Sequence, residues 1–347
     1  MFYIHQHSCI SPQQTFNDVD LEKLHEPVDK KLQAIEPSYE HIPPGMLRRM
    51  GKAVRMGVGA ALPLLQDNTL PDGIILGTAN GGKEDCVKFL NQIIEYNEGM
   101  LTPLNFVQGT PNAIASQIGI LTKNHGYNIT HMHLGLAFEN VLTDADMLIN
   151  DKPSNQYLIG AVDDISNSNY YFEDKGGWYK KESINRLDFY DTGTTGSVAG
   201  EAAVMFIANG IKKNAIAKVI AIDTLHNRDV SVMKEKLIGF IANNLPAGEK
   251  IDVLLSGENG DNRLQEYFNA AEYIAGENVV VARYKHMTGE YPTATAMGLW
   301  LSCIILRQQV IPAHMVKKQL PVSGYKNILI YNTYKGNQHS FIVASLP

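Results

Sequence analysis

Cysteine is scarce in this chain, with three among 347 residues. Cys9, Cys86 and Cys303 are odd in number and widely spaced, with no CxxC pair. That pattern excludes a disulfide framework and a thiolate zinc cluster, and it fits a reducing, cytoplasmic setting. No apolar stretch reaches the roughly 18 residues that a membrane helix requires. The longest, Ala296 to Leu306, is interrupted only by Gly298 and Ser302 and reads as a core helix. No long basic run exists, which argues against nucleic acid as a partner. Met1 to His7 lacks the basic region and long apolar segment of a signal peptide.

What is present is a large supply of core. Hydrophobic residues make up 44% of the chain and charged residues 19%, with a formal net charge of −6 spread over mixed signs. This suits two domains or one large layered α/β unit. Phe2 to Ser8 reads as a first strand. Apolar residues at spacings of three and four predict a helix from Pro44, through Met50, Val54 and Val58, to about Leu65. Gly73 to Thr78 is an apolar strand ending at the paired Gly81 and Gly82, and a helix follows from Lys83 to Tyr96. Residues 103–110 read as loop and 111–120 as helix. A short strand at Asn128 to Thr130 precedes a helix to about Ile149, and Gln156 to Val162 is the next strand.

The polar stretch from Asp163 to Thr195 reads as an excursion or lid between two halves. Strand and helix then alternate again: strands at 217–222, 251–255 and 279–282, helices at 229–244, 263–275 and 289–307, and a closing strand pair at 327–331 and 340–344. Such alternation predicts layered α/β with helices on sheet faces. The expected division is a first half over 1–165, a connecting excursion over 166–195 and a second half over 196–347.

The chemically interesting stretch is Thr130, His131, Met132, His133, Leu134 and Gly135. It lies where a strand turns into a helix, and an α/β enzyme presents a nucleophile at such a turn. No Cys or Ser stands there. His131 and His133 flank Met132, but two alternate histidines fit a structural or hydrogen-bonding role better than a metal site.

Several motifs, in order along nearly the whole chain, resemble the β-ketoacyl synthase branch of the thiolase fold. Arg48 to Met56 resembles the family's Arg-Arg-Met helix. Gly73 to Gly82 resembles its strand and Gly-Gly turn, and Pro111 to Ala113 its Pro-Asn-Ala helix start. Thr130 to Gly135 stands where the family has Thr-Ala-Cys-Ser-Ser-Gly. Gly200 to Ala203 is similar to Gly-Glu-Gly-Ala, Lys285 to Gly289 to Lys-x-x-x-Gly, and Gly336 to His339 to a closing Gly-Gly-x-Asn turn. The resemblance implies a five-layered αβαβα fold from two pseudo-repeated halves, and a dimer built around the strand before the nucleophile turn. It also implies carbon–carbon bond formation between an acyl chain and a malonyl unit on acyl carrier protein.

The family reaction needs a thiolate that accepts the acyl chain and two imidazoles that assist decarboxylation and stabilise the enolate. Aligned on the flanking residues, these positions hold Met132, Ser256 and Glu290. A thioether has no ionisable proton and forms no thioester by this route. A carboxylate at 290 would repel malonate and enolate alike. The expectation is therefore a subunit not catalytic alone, whose family activity would be 3-oxoacyl-[acyl-carrier-protein] synthase. It resembles a chain-length factor of aryl-polyene or flexirubin-type pathways, paired with an active ketosynthase or with itself. Other readings are a divergent synthase or malonyl decarboxylase, and a homodimeric acyl-binding scaffold. His131, His133, Lys285, Glu201 and His339 are expected to line the pocket, with Lys285 pairing to Glu290 and Glu201 to a nearby cation. No cofactor and no metal are expected.

Overall fold

The structure is a computed structural model that describes residues 1–65, 70–186, 188–321 and 323–347. Ten strands carry the architecture: β1 (Phe2–Ile10), β2 (Gly73–Gly77), β3 (Tyr127–His131), β4 (Tyr157–Asp163), β5 (Ala202–Asn209), β6 (Ala217–His226), β7 (Val253–Ser256), β8 (Val280–Arg283), β9 (Asn327–Tyr334) and β10 (Gln338–Ser345). The helices that cover them are α1 (Lys52–Ala61), α2 (Lys83–Glu95), α3 (Ala113–Thr122), α4 (Ala137–Asp151), α5 (Asn167–Lys175), α6 (Val230–Asn244), α7 (Gln265–Ala275) and α8 (Thr295–Gln308). β2, β4, β7, β9 and β10 are buried at every residue, as continuous apolar strands covered on both faces must be.

The sheet runs β3-β2-β4-β5-β1 through the first half and β6-β10-β9-β7-β8 through the second, with a short strand, Val316–Lys318, beyond β8. Numbered within its own half, each side has the same strand order, 3-2-4-5-1. The directions match as well. The second strand pairs parallel with the third and fourth, and the fifth runs antiparallel to the fourth. The halves join where β1 pairs antiparallel with β6, Phe2 opposite Val219 and Ile4 opposite Ala217. The repeat that is invisible residue by residue is therefore plain in topology.

Helices α1 and α3 pack on the first half's outer face, and α6 and α7 on the second half's. Between the halves lie α4 and α8, each touching strands of both. Three apolar clusters correspond: Val54, Met56 and Ile114 outside the first half, Phe138, Trp300 and Leu301 in the centre, and Leu237, Phe240 and Phe268 outside the second. This is the five-layered arrangement. α8 is buried from Thr295 to Leu306, which is why its sequence is apolar on all sides. At Gly200 the halves meet backbone to backbone: an added Cβ would lie 1.9 Å from the Thr288 carbonyl oxygen.

Three expectations need correction. The helix predicted from Pro44 to Leu65 is broken. Pro44–Leu47 forms one turn, and α1 starts only after Gly51. The Gln108 side chain accepts the Gly51 N–H at 2.6 Å and donates to the Arg49 carbonyl, so the chain is held open there. Residues 103–110 were expected as loop, yet Pro103–Gln108 is a short helix, with Pro at its permissive first turn. The helix expected from Gly289 begins at Thr295, because Gly289 takes φ 71° and Glu290, Tyr291 and Pro292 line the cavity instead. The excursion over 166–195 contains α5, capped by Ser166, whose hydroxyl accepts the Asn169 N–H. Leu187 within it lies outside the described residues. No helix among the described residues is long and apolar enough to cross a membrane.

Candidate functional site

The turn after β3 comes at the outer edge of the sheet. Met132 is 57% exposed, and Leu134 takes a left-handed φ of 46° before the chain enters α4. Gly135 fastens the turn to the closing hairpin. Its N–H donates to Gln338 Oε1 at 2.9 Å, and a Cβ there would stand 2.2 Å from the Tyr334 Cβ. The two flanking histidines are both held locally. His131 Nε2 is 3.0 Å from Asp144 Oδ2, and His133 Nδ1 is 3.3 Å from the Asn140 amide. They do not converge on one point, and among the described residues no group of three or more His, Cys, Asp or Glu could hold a metal.

The second-half positions are buried. Ser256 ends β7 with no exposure, and its hydroxyl accepts the Glu258 N–H at 3.3 Å. The turn then brings Asn259 to Glu290, Nδ2 donating to Oε2 at 2.6 Å. Lys285, fully buried, donates to the other Glu290 oxygen at 2.7 Å. The expected Lys285–Glu290 pair is thus present. Burial lowers the Lys285 pKa and the Glu290 charge opposes that shift. Both carboxylate oxygens have donors, which makes the pair stiff and self-contained.

Two other expected site residues serve the framework. Glu201 is fully buried and pairs with Lys52 at 2.5 Å, while it accepts the N–H groups of Ala34 and Ile165, each at 2.7 Å. His339 is buried between the Tyr331 hydroxyl at 3.0 Å and the Asn227 carbonyl at 2.8 Å, and burial pushes its pKa down to about 4. The cysteines offer no replacement nucleophile. Burial pushes both the Cys9 and Cys303 thiols up to about 12, and Cys86 is half-buried at the start of α2.

The cavity at this place lies beside Glu290. It is bounded by Asp164, Asn169, Trp178, Asn259, Tyr291 and Tyr334, among others, and encloses ≈ 30 Å³, room for about two waters. Of the candidate site residues named from the sequence, Glu290 alone lines it. His131, His133, Lys285, Glu201 and His339 do not. Asp164, Asn169 and Tyr291 went unnoticed in sequence. The signal available was the acidic pair Asp163 and Asp164 closing an otherwise apolar strand, a costly place for two carboxylates. Asp163 is satisfied there by five donors: the Ala79, Asn80 and Thr293 N–H groups and the Thr78 and Thr293 hydroxyls.

Comparison with known proteins bears on the fold. Residues 23–176 match the family model of the β-ketoacyl synthase N-terminal domain. A β-ketoacyl synthase from Burkholderia phymatum superposes with TM-score 0.81 at 12% identity, covering 100% of this chain and 99% of that one. The ishigamide ketosynthase/chain length factor superposes at 0.78 and 14% identity, covering 100% and 99%. A ketosynthase in complex with its chain length factor from Xenorhabdus doucetiae does so at 0.77 and 12%, covering 100% and 98%. No curated protein matches in sequence. Residues 23–176 are thus similar to the β-ketoacyl synthase N-terminal domain, and the whole length takes the fold of these ketosynthase structures.

Proposed function

We propose that this chain is a non-catalytic, chain-length-factor-like subunit that pairs with an active ketosynthase and shapes the acyl tunnel during polyene or fatty-acid-type elongation. The observation that carries this reading is the state of Glu290. Where the family reaction wants a neutral imidazole facing a malonyl carboxylate, this chain has a carboxylate fixed by Lys285 and Asn259. Glu290 and Lys285 neutralise each other, so the position presents a carboxylate rather than an imidazole to an enolate oxygen. Met132 adds a thioether at the turn, and Ser256 a hydroxyl at the strand end.

Pairing has its own support. β3 is the last strand of the sheet, and among the described residues it pairs with β2 alone. Met132 and Leu134 beyond it, and Ile120 on the adjoining α3, are all exposed apolar side chains. An open edge with apolar flanks is a template for a second subunit. Complexes of a ketosynthase with a chain length factor are among the structures of the same fold. An acyl carrier protein would be the shared partner, and an aryl-polyene or flexirubin-type pathway the setting. The two units proposed within the chain are residues 1–165 and 196–347, joined by the 166–195 excursion, with β5 (Ala202–Asn209) reaching back from the second to complete the sheet of the first.

The test is co-expression with a ketosynthase that holds an intact Cys-His-His set, followed by affinity purification through this chain. A stoichiometric heterodimer is expected. A stable homodimer that leaves the ketosynthase unbound would favour the scaffold reading and overturn the pairing.

A further inference from the structure

Two imidazoles joined ring to ring lie outside the site, and the proposed subunit role does not use them. His286 follows Lys285 and is 3% exposed. His314 stands in the short turn Ala313–Met315. His286 Nε2 is 2.8 Å from His314 Nδ1. Each ring is also held at its far end. His314 Nε2 is 2.7 Å from the Leu21 carbonyl oxygen, and His286 Nδ1 is 2.9 Å from the Tyr190 hydroxyl.

These partners fix every hydrogen along the row. The Leu21 carbonyl only accepts, so His314 carries its hydrogen on Nε2. Its Nδ1 is then bare and accepts from His286 Nε2. His286 Nδ1 is bare in turn and accepts the Tyr190 hydroxyl, whose oxygen accepts the His286 backbone N–H at 3.1 Å. Both rings are neutral in this arrangement, and all four ring nitrogens are bonded. A proton added at His286 Nδ1 would turn the Tyr190 hydroxyl hydrogen out of the row. One added at His314 Nδ1 would set two N–H groups against each other.

The surroundings also oppose a charge. The Arg283 guanidinium lies 3.7 Å from the Tyr190 ring centre, and the Arg186 charge acts on both imidazoles. Glu258 is bonded to Arg283 and Lys317, and Glu26 to Arg186, while Glu22 favours a charge on His314. Burial, then His314, Arg283 and Arg186, push the His286 pKa down to about 3. Burial lowers that of His314 as well.

Tyr190 belongs to a strap, residues 188–195, laid over the turn that brings Asn259 to Glu290. The Gly193 carbonyl accepts the Asn262 amide at 2.7 Å, and the Thr194 carbonyl accepts the Asn262 N–H at 3.1 Å. Lys180 donates to the Thr192 and Thr194 hydroxyls and to the Gly260 carbonyl, at 2.8, 3.0 and 3.0 Å.

From this geometry we infer that Tyr190, His286, His314 and the Leu21 carbonyl form a proton-sensitive latch, which ties the strap down while both imidazoles are neutral and releases it on acidification. The latched rings exclude an added proton, whereas released rings take one at their ordinary 6.5. The latch is therefore at full strength above pH 6.5 and weakens as the pH falls from there towards 3, by about tenfold per pH unit for His286.

The test is amide hydrogen exchange of the purified full-length chain between about pH 7.5 and about pH 5, corrected for the intrinsic rate and read by mass spectrometry. Peptides over 188–195 should open about tenfold more readily per pH unit below 6.5, while Tyr157–Asp163 stays protected. His286→Gln, which takes up no proton, should open the strap at neutral pH and remove most of the dependence. Should that variant fail to fold, nitrogen NMR of the unmodified chain near pH 6 reads the row directly. Both rings should be neutral, with hydrogen on Nε2. Corrected strap exchange that is the same at both ends of the range would overturn the inference. So would an equal rise along the whole chain, undiminished dependence in His286→Gln, or a charged or Nδ1–H ring near pH 6. None of these readouts needs a second subunit, so a failure here and a failure of the pairing are told apart.

Discussion

The two halves of this molecule share a strand order but treat their site positions in opposite ways. In the first half the turn after β3 is open to solvent, with Met132 outside and both histidines tied to nearby residues. In the second half Ser256, Lys285 and Glu290 are sunk beneath the closing hairpin, and Lys285 and Glu290 are bonded to each other. The difference teaches that a position's surroundings decide what it can hold. An exposed position can take a thioether at almost no cost to stability. A buried one must have its charge compensated, so Glu290 comes with Lys285 and Asn259 beside it. The buried side therefore dictates stability, and the exposed side is free to meet a partner.

The sharpest way to break that contrast is to remove Lys285. Lys285→Met strands the Glu290 charge in the interior, and a loss of about 3–5 kcal/mol is expected in urea denaturation. Adding Glu290→Gln to that variant should recover most of it, because the uncompensated charge is then gone. Next comes the contact between the halves. Gly200→Ala would drive a Cβ to 1.9 Å from the Thr288 carbonyl, and the backbone must shift. About 1–3 kcal/mol of destabilisation should follow in the same denaturation series.

Asp164 tests the buried side in the other direction. Its folded pKa, about 7, lies above its usual 3.8. A raised folded pKa contributes stability below pH about 4 that is lost as the pH climbs through 7. Asp164→Asn carries no such penalty. It should match the unmodified chain near pH 4 and exceed it by on the order of 1–3 kcal/mol above pH 7, as read from denaturation midpoints across that range. A constant difference at all pH values would show that the carboxylate is already compensated. The smallest effect belongs to the exposed turn. Met132→Ala should change stability by less than about 0.5 kcal/mol, and Met132→Cys should restore no condensing activity while Ser256 and Glu290 remain.

How much of this was legible in sequence follows the same divide. Apolar runs such as Gly73–Gly77 and Tyr157–Asp163 announced the buried strands, and motif order along the chain pointed to the ketosynthase-like fold. Glu290 and Lys285 were readable because they stand five residues apart beside a glycine that forces a turn. Contacts made across the fold were not readable. Nothing local tells that Gln108 will hold the chain open at Gly51, or that α5 will bring Asn169 onto the same cavity as Asp164 and Tyr291. His339 and Glu201 looked like pocket residues because imidazoles and carboxylates are chemically rich. In the folded chain the first spaces Tyr331 from Asn227, and the second ties Lys52 to two loop backbones.

The central proposal, that this chain performs no condensation by itself, meets its most direct test in mass spectrometry of the purified chain alone. The chain would be incubated with acyl- and malonyl-loaded carrier protein, with intact mass and malonyl decarboxylation followed over time. An unchanged protein mass and decarboxylation at the rate of the protein-free control are predicted. An acyl adduct on the chain, or catalytic loss of carbon dioxide that survives Met132→Ala but not Glu290→Gln, would contradict it.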